Sequence, residues 1–152
     1  MIRLSQRDPR WANAHLGASN LLVGAYGCTT TVLSMFSDYF GCYLSPGEIA
    51  AHNSWYTSAG LVNWLKLAFA KMAFDWRQYG EDNARIDAAL ADPDRAVGLQ
   101  VNGGKHWIAC VRKVKLANGT TDYVAADPWT GRDCFAKLTY KNITGSVFVK
   151  RK

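Results

Sequence analysis

The chain has 152 residues, of which 49% are hydrophobic and 20% are charged. This size and composition are typical of a single globular domain spanning residues 1–152, and they exclude a fibrous, repetitive or disordered chain. The 18 basic and 12 acidic residues give a net charge of +6, but the basic residues are spread along the chain, with short groups only at 112–115 and 150–152. We therefore expect no nucleic acid partner.

Local sequence patterns argue against a secreted, a membrane-spanning and a zinc-binding protein. The segment Met1–Trp11 is rich in charge and lacks the apolar stretch of a signal peptide, so we expect synthesis in the cytoplasm. The most apolar segment, Leu61–Phe74, is interrupted by Lys66 and Lys71 and is too short for a membrane span, so no membrane insertion is expected. The four cysteines lack the spacing of a zinc site, so we expect no metal or cofactor. Since no secretion signal accompanies them, we expect reduced thiols instead of disulfides.

Helical signals dominate the first half of the chain. Ser45 can cap a helix that has Pro46 at its first position and Glu48 completing a capping box. Asn83 is expected to cap a later helix that ends before Asp92-Pro93. From these caps and from the spacing of apolar residues, the predicted helices span residues 28–40, 45 to 52 or 53, 59–72 and 83–91.

Alternating apolar residues predict strands in the second half, at residues 95–101, 107–114, 122–126 and 146–150. Helices followed by strands, instead of strict alternation, are typical of an α+β fold. We therefore predict N-terminal helices packed on a C-terminal antiparallel sheet.

Cys28 is the first candidate for a chemical role. It stands at the predicted start of a helix, where the partial positive charge and free amides of the terminus lower the pKa of a thiol. Gly27 offers no side chain that would block a substrate, and the Cys28 amide can donate to an oxyanion. The alternative is a buried cysteine that only packs the helix, as free cysteines often do.

His106 and Asp127 stand at the ends of two predicted strands. Each has a simpler interpretation on its own: a histidine at the rim of a sheet, and an Asp-Pro turn. A two-residue turn at Asn118-Gly119 would place Asp127 opposite Cys110. Pairing with His106 therefore requires a longer loop or a bulge, and we predict an irregular connection over residues 115–121.

Several motifs occur in an order that resembles the papain-like cysteine peptidases related to bacteriocin-leader-processing peptidases, a group that includes phage lytic (endolysin) domains. They are Leu4–Trp11, Leu16–Ser19, Gly27-Cys28, Ser45–Glu48, His106-Trp107 and Asp127–Gly131. The resemblance implies a papain-like fold with a Cys28, His106 and Asp127 triad, and it implies that the Gln6 side chain stabilises the oxyanion. We predict substrate binding by Gly27, Trp107 and Trp129, although core packing is an equal alternative for the tryptophans.

The function implied by this resemblance is hydrolysis of peptide bonds by a cysteine peptidase. Peptidoglycan is the favoured substrate, since a basic endolysin-like enzyme without a signal peptide suits action on an anionic cell wall after release. A protein or leader-peptide protease is the first alternative. A catalytically inactive binding domain of the same fold is the second. The expected partner is thus a peptide or peptidoglycan, bound by a monomer.

Overall fold

The computed structural model describes all 152 residues and shows a mixed α/β architecture built on one seven-stranded antiparallel sheet. The helices are α1 (Val23–Tyr26), α2 (Cys28–Tyr39), α3 (Pro46–Ala50), α4 (Asn83–Leu90) and α5 (Ala136–Tyr140). The strands are β1 (Ala68–Phe69), β2 (Met72–Tyr79), β3 (Arg95–Val101), β4 (His106–Lys115), β5 (Thr121–Asp127), β6 (Arg132–Phe135) and β7 (Gly145–Arg151). Their order across the sheet is β1-β2-β7-β3-β4-β5-β6.

The sheet is covered by helices on both faces. Helix α2 packs against β4, and its apolar residues join one core with Trp107 and Ala109. The intervening residues Ile108 and Cys110 point to a second core that includes residues of α4 and α5. Because successive side chains of a strand point to opposite faces, the central strands are apolar on both sides. The predicted antiparallel sheet in a mixed α/β fold is confirmed, with α2 packed on it. However, β1 and β2 precede α4, and α5 lies between β6 and β7, so the helices and strands do not divide into two halves of the chain.

Local capping chemistry determines where the helices begin. Ser45 caps α3, its side chain accepting from the Glu48 N–H at 3.2 Å while Glu48 accepts from the Ser45 N–H at 2.7 Å. This capping box confirms the prediction. For α4 the prediction is wrong by one residue, because Asp82 and not Asn83 is the cap and accepts from the Arg85 N–H at 3.0 Å.

The helix predicted over residues 59–72 is wrong. The segment instead contains a 3-10 turn at Trp64–Lys66 and the short strand β1, followed by the start of β2. The sequence patterns did not predict the strand β2 or the short elements β6 and α5. One edge of the sheet therefore begins where a helix was expected.

Residues 59–72 do not form a helix because the chain makes a tight turn there, and the sequence carries no signal for that turn. Ala70 and Lys71 both have positive φ, 50° and 59°, and join β1 to β2 in a two-residue hairpin. Such turns usually carry Asn or Gly at these positions. Leu61 and Leu65, which were part of the predicted apolar helix face, are 65% and 85% exposed. Their spacing alone does not reveal that they lack a core to pack against.

The pairing of His106 with Asp127 was predicted to need a longer loop or a bulge between their strands, and the hairpin of β4 and β5 has both. Lys115 pairs with Thr121, and the Leu116 N–H donates to the Thr120 carbonyl at 2.8 Å, so the connection is longer than two residues. The irregular connection predicted over residues 115–121 is therefore reduced to a three-residue turn, 117–119, in which Gly119 has φ 84°. A bulge lies between Cys110 and Arg112, where the register shifts.

This bulge sets the relation of His106 to Asp127. On the His106 side of the bulge, Ala109 pairs with Ala126. The same register places Ile108 opposite Asp127. His106 lies two residues farther along β4 on the same face, and is therefore a diagonal neighbour of Asp127. The two side chains meet without standing directly opposite each other.

None of the helices is both long and apolar enough to cross a bilayer.

Candidate active site

Cys28 is the first residue of α2, as predicted. Gly27 precedes it with φ −88°, and a Cβ added there would lie 2.5 Å from the Val23 carbonyl oxygen. Glycine is therefore required by the close approach of the chain to α1. Gly27 is not among the residues that line the cleft described below, and the substrate contact predicted for it stays a prediction.

His106 and Asp127 form a buried pair. His106 Nε2 lies 2.7 Å from Asp127 Oδ1. The same carboxylate accepts from the Trp129 N–H at 2.8 Å on Oδ1 and from the Tyr140 hydroxyl at 2.5 Å on Oδ2. Burial opposes the charge on Asp127, but the hydrogen bonds from His106, Tyr140 and Trp129 hold the pKa of the carboxyl below its usual value.

Tyr140 is a site residue that sequence reasoning missed. It comes from the five-residue helix α5, and its ring centre lies 5.5 Å from that of His106. Burial and the bond to the Asp127 carboxylate raise the pKa of the Tyr140 hydroxyl, so it remains a donor. Tyr140 has no motif around it that marks it out in the sequence.

The Cys28 thiol interacts with the ring of His106. Since Nε2 of the ring is bound to Asp127, Nδ1 is the nitrogen left for the thiol. Burial disfavours the thiolate, but the hydrogen bond and positive charge of His106, helped by the Trp107 N–H, lower the pKa of Cys28. Burial also disfavours the charged ring, yet Asp127 and Cys28 raise the pKa of His106 to about 9. Both shifts favour a thiolate and imidazolium pair.

Gln6 is anchored beside the start of α2. Its side chain is 2% exposed, and its backbone N–H donates to the Pro128 carbonyl at 2.8 Å. The helical hydrogen-bond pattern is interrupted at Gly27, and the Gly24 carbonyl, which a continuous helix would pair with Cys28, accepts from Gln6 Nε2 at 3.1 Å. The second N–H of Gln6 and the N–H of Cys28 are therefore left without an acceptor, and both residues line the cleft described below.

These side chains line an open cleft of about 560 Å³. Gln6, Cys28, His106, Trp107 and Trp129 all lie on its walls, so the structure brings together most of the residues predicted from the sequence. Apolar residues from the N-terminal helical half form part of the wall, namely Leu21, Ala25 and Leu61. A cleft of this size admits a short peptide segment.

The two tryptophans differ in accessibility. Trp107 is 8% exposed and packs edge to face on Trp64 at 5.6 Å, so most of its ring belongs to the core. Trp129 is 45% exposed, with the Arg7 guanidinium 4.4 Å from its ring centre. Of the pair, Trp129 offers the larger surface to a bound molecule.

A second polar network supports the loop that precedes His106. Asn102, Gly103 and Gly104 have φ of 54°, 63° and 86°. Gln100 donates to the Gly104 carbonyl at 2.9 Å and accepts from the Arg77 guanidinium. Arg77 was not singled out from the sequence, because β2 itself was not predicted there. Its contact fixes the backbone from which His106 projects.

The other cysteines lie apart from this arrangement. Cys110 is buried in the second core, where burial raises the pKa of its thiol. Burial and the charge of Asp127 raise the pKa of Cys134 to about 12. The structure contains no group of three or more His, Cys, Asp or Glu side chains arranged to hold a metal ion.

Searches against protein-family models, curated proteins and solved structures found no match to this chain. Its class is therefore defined by fold and site alone: a mixed α/β protein with a thiol, an imidazole and a carboxylate in series at one end of an antiparallel sheet. Gln6, whose side-chain amide keeps one N–H free, lines the same cleft as the thiol.

Proposed function

We propose that this protein is a papain-like cysteine peptidase that hydrolyses peptide bonds. The observation that carries the proposal is the series from Cys28 through His106 to Asp127, in which the thiol pKa is lowered and the imidazole pKa is raised. A thiolate is the nucleophilic form of cysteine, and an adjacent imidazolium holds the proton that a leaving amine needs.

The chemistry follows from the positions of these groups. Cys28 Sγ attacks the carbonyl carbon, and the resulting oxyanion accepts hydrogen bonds from the Cys28 N–H and from Gln6 Nε2. His106 gives its proton to the leaving amine as the C–N bond breaks, which leaves a thioester on Cys28. His106 then takes a proton from water, which attacks the thioester and releases the new carboxylic acid and the thiolate.

Asp127 keeps the imidazole oriented during both proton transfers. Its carboxylate is fixed by the Trp129 N–H and the Tyr140 hydroxyl, so its direction relative to Nε2 of His106 is set before substrate arrives. Preorganisation of this kind avoids rearrangement during the reaction.

Peptidoglycan is the proposed substrate, with action on the wall after release, as in a phage lytic enzyme. The support is the net charge of +6, which attracts the protein to an anionic wall, together with a cleft of a size that admits a peptide. A leader-peptide or other protein protease would use the same chemistry on a different chain, and a binding domain would use the cleft without turnover.

The test compares wild type, Cys28→Ala and the matched control Cys42→Ala, whose cysteine is half-buried and outside the cleft. Each is incubated with purified peptidoglycan and with a peptide library, and the products are identified by mass spectrometry. We expect new amino and carboxyl termini with wild type and Cys42→Ala but none with Cys28→Ala. Cleavage of the library alone would identify a protein protease. The absence of cleavage in both substrates would contradict the proposal.

A further inference from the structure

Acidic side chains are absent from the walls of the cleft. None of the twelve Asp and Glu residues lines it. The nearest acidic residue is Asp127. Its carboxylate lies behind the ring of His106 and is hydrogen-bonded to three groups. No carboxylate on the cleft surface therefore repels a bound anion, and the Cys28 thiolate is paired with the imidazolium of His106.

Lys105 is the one lining residue that carries a permanent charge. It is exposed and directly precedes His106. The lysines that form ion pairs in this structure are Lys113, Lys137 and Lys150, so the charge of Lys105 is not neutralised by a carboxylate. An unpaired ammonium beside the proposed catalytic base is available to a substrate.

Two arginines add positive charge directly behind the walls. Arg7 donates to the Trp129 carbonyl at 3.0 Å and lies over that ring. Arg77 donates to the Ser146 carbonyl at 3.0 Å and to Gln100. Neither guanidinium contacts a carboxylate. Charges of one sign around a cleft with apolar walls concentrate ligands of the opposite sign.

We propose that the cleft selects peptides that carry a carboxylate close to the scissile bond, and that Lys105 binds this carboxylate. The inference rests on the proposed peptidase function, since it concerns the same cleft. The loop before Lys105 is held by the Gln100 contact to Gly104, so the ammonium is presented from a fixed backbone. Leu21 and Leu61 line the cleft as well and can receive an apolar side chain of the same peptide.

Two kinds of peptide substrate carry a carboxylate close to the scissile bond. The stem peptides of peptidoglycan carry free carboxylates, including the α-carboxylate of an isoglutamyl residue. Acidic protein segments carry the side chains of Asp and Glu. The shared feature is a carboxylate near the bond that is cleaved, and the experiment separates the two sources.

The experiment uses matched pairs of peptides. In the first set, the two peptides of a pair differ only in having Glu or Gln at one position near the scissile bond, and each such position is tested in turn. In the second set, a stem peptide with its free carboxylate is paired with the same peptide in which that carboxylate is an amide. The ratio of kcat/KM for acid over amide is measured with wild type, Lys105→Met, Lys105→Glu and the control Lys115→Met, whose lysine lies at the far end of β4. Binding of the same peptides to Cys28→Ala and to Cys28→Ala/Lys105→Met is measured by tryptophan fluorescence.

We expect wild type and Lys115→Met to prefer the acid about two- to fivefold, the range of an exposed charged contact. Lys105→Met should lose this preference, and Lys105→Glu should reverse it. A preference only in the stem-peptide set identifies the wall as the source, whereas a preference in both sets identifies acidic peptides in general.

Failure of this inference is distinct from failure of the proposed function. Cleavage with equal rates for acid and amide, and equal binding to Cys28→Ala, would overturn the role of Lys105 and leave the peptidase intact. Acid-selective binding that depends on Lys105 without any turnover would support the role of Lys105 and contradict the peptidase. Equal binding without turnover would contradict both.

Discussion

The acidity of Cys28 depends on His106, and His106→Ala tests this dependence directly. The rise in the pKa of His106 from 6.5 to about 9 corresponds to about 3 kcal/mol that favours the imidazolium. Burial opposes this shift, so the attraction that Asp127 and Cys28 exert together exceeds it. An opposite charge in contact typically shifts a pKa by about one unit or more, and the coupling between Cys28 and His106 is reciprocal. The substitution therefore withdraws on the order of 1 kcal/mol or more from the thiolate.

The expected consequence is a thiolate population about tenfold lower below the pKa of Cys28. Burial remains in the variant and continues to favour the neutral thiol. The rate of alkylation falls somewhat less than the population, since a more basic thiolate is intrinsically more nucleophilic.

The assay is the rate of alkylation by iodoacetamide at about pH 6.5 and as a function of pH. Chymotryptic digestion followed by mass spectrometry separates Cys28 from Cys42, because Phe36, Tyr39 and Phe40 lie between them. The matched control is His52→Ala, since His52 is exposed and stacks only on Trp55 at 3.9 Å.

Slower alkylation in His106→Ala, with a midpoint moved to higher pH and no change in His52→Ala, would support the pair. An unchanged rate and midpoint in His106→Ala would refute the thiolate and imidazolium assignment, and with it the observation that carries the proposed function.

Further perturbations address the rest of the site. Peptidase activity should decline as the pH rises through about 9, because His106 loses the proton that the leaving amine requires; a pH profile of kcat/KM that stays flat there would contradict this role. Tyr140→Phe removes a donor to a buried carboxylate and should lower kcat about tenfold with KM nearly constant; unchanged kcat would show that the hydroxyl is dispensable. Gln6→Ala should cost about 3 kcal/mol of transition-state stabilisation, measured as kcat, but only about 1 kcal/mol in the free energy of unfolding; equal losses in both would indicate a purely structural residue. Gly27→Ala brings a Cβ to 2.5 Å from the Val23 carbonyl oxygen and should lower the free energy of unfolding by about 1–3 kcal/mol, measured by urea denaturation; an unchanged midpoint would refute the packing argument.

The proposed catalytic residues differ in how visible they are in the sequence. Cys28 was located by a local signal, the start of a helix after glycine, and the structure places it at the first residue of α2. His106 and Asp127 were located at strand ends, but their meeting depended on the hairpin between them. A bulge between Cys110 and Arg112 supplies the required register. Because a shift of one residue turns every side chain to the opposite face, no local pattern decides such a pairing.

Two residues that support the site, Tyr140 and Arg77, were not predicted. Tyr140 lies on a helix of only five residues, too short for a periodic signal. Arg77 lies on β2, and that strand was obscured by the helical spacing of apolar residues around the turn at Ala70-Lys71. Their contacts to Asp127 and Gln100 join elements that are far apart along the chain.

The sequence by itself determined the features that depend on neighbouring residues: the capped start of α3, the helix that begins at Cys28, and the strands β3, β4, β5 and β7. Caps and periodicity express local backbone chemistry, which a short segment carries with it. Only the tertiary structure decided which strand edges pair, where the bulge falls, and which hydroxyl and guanidinium support the cleft. These depend on registers between distant segments, and a register is fixed only when the two faces of the sheet bury their side chains together.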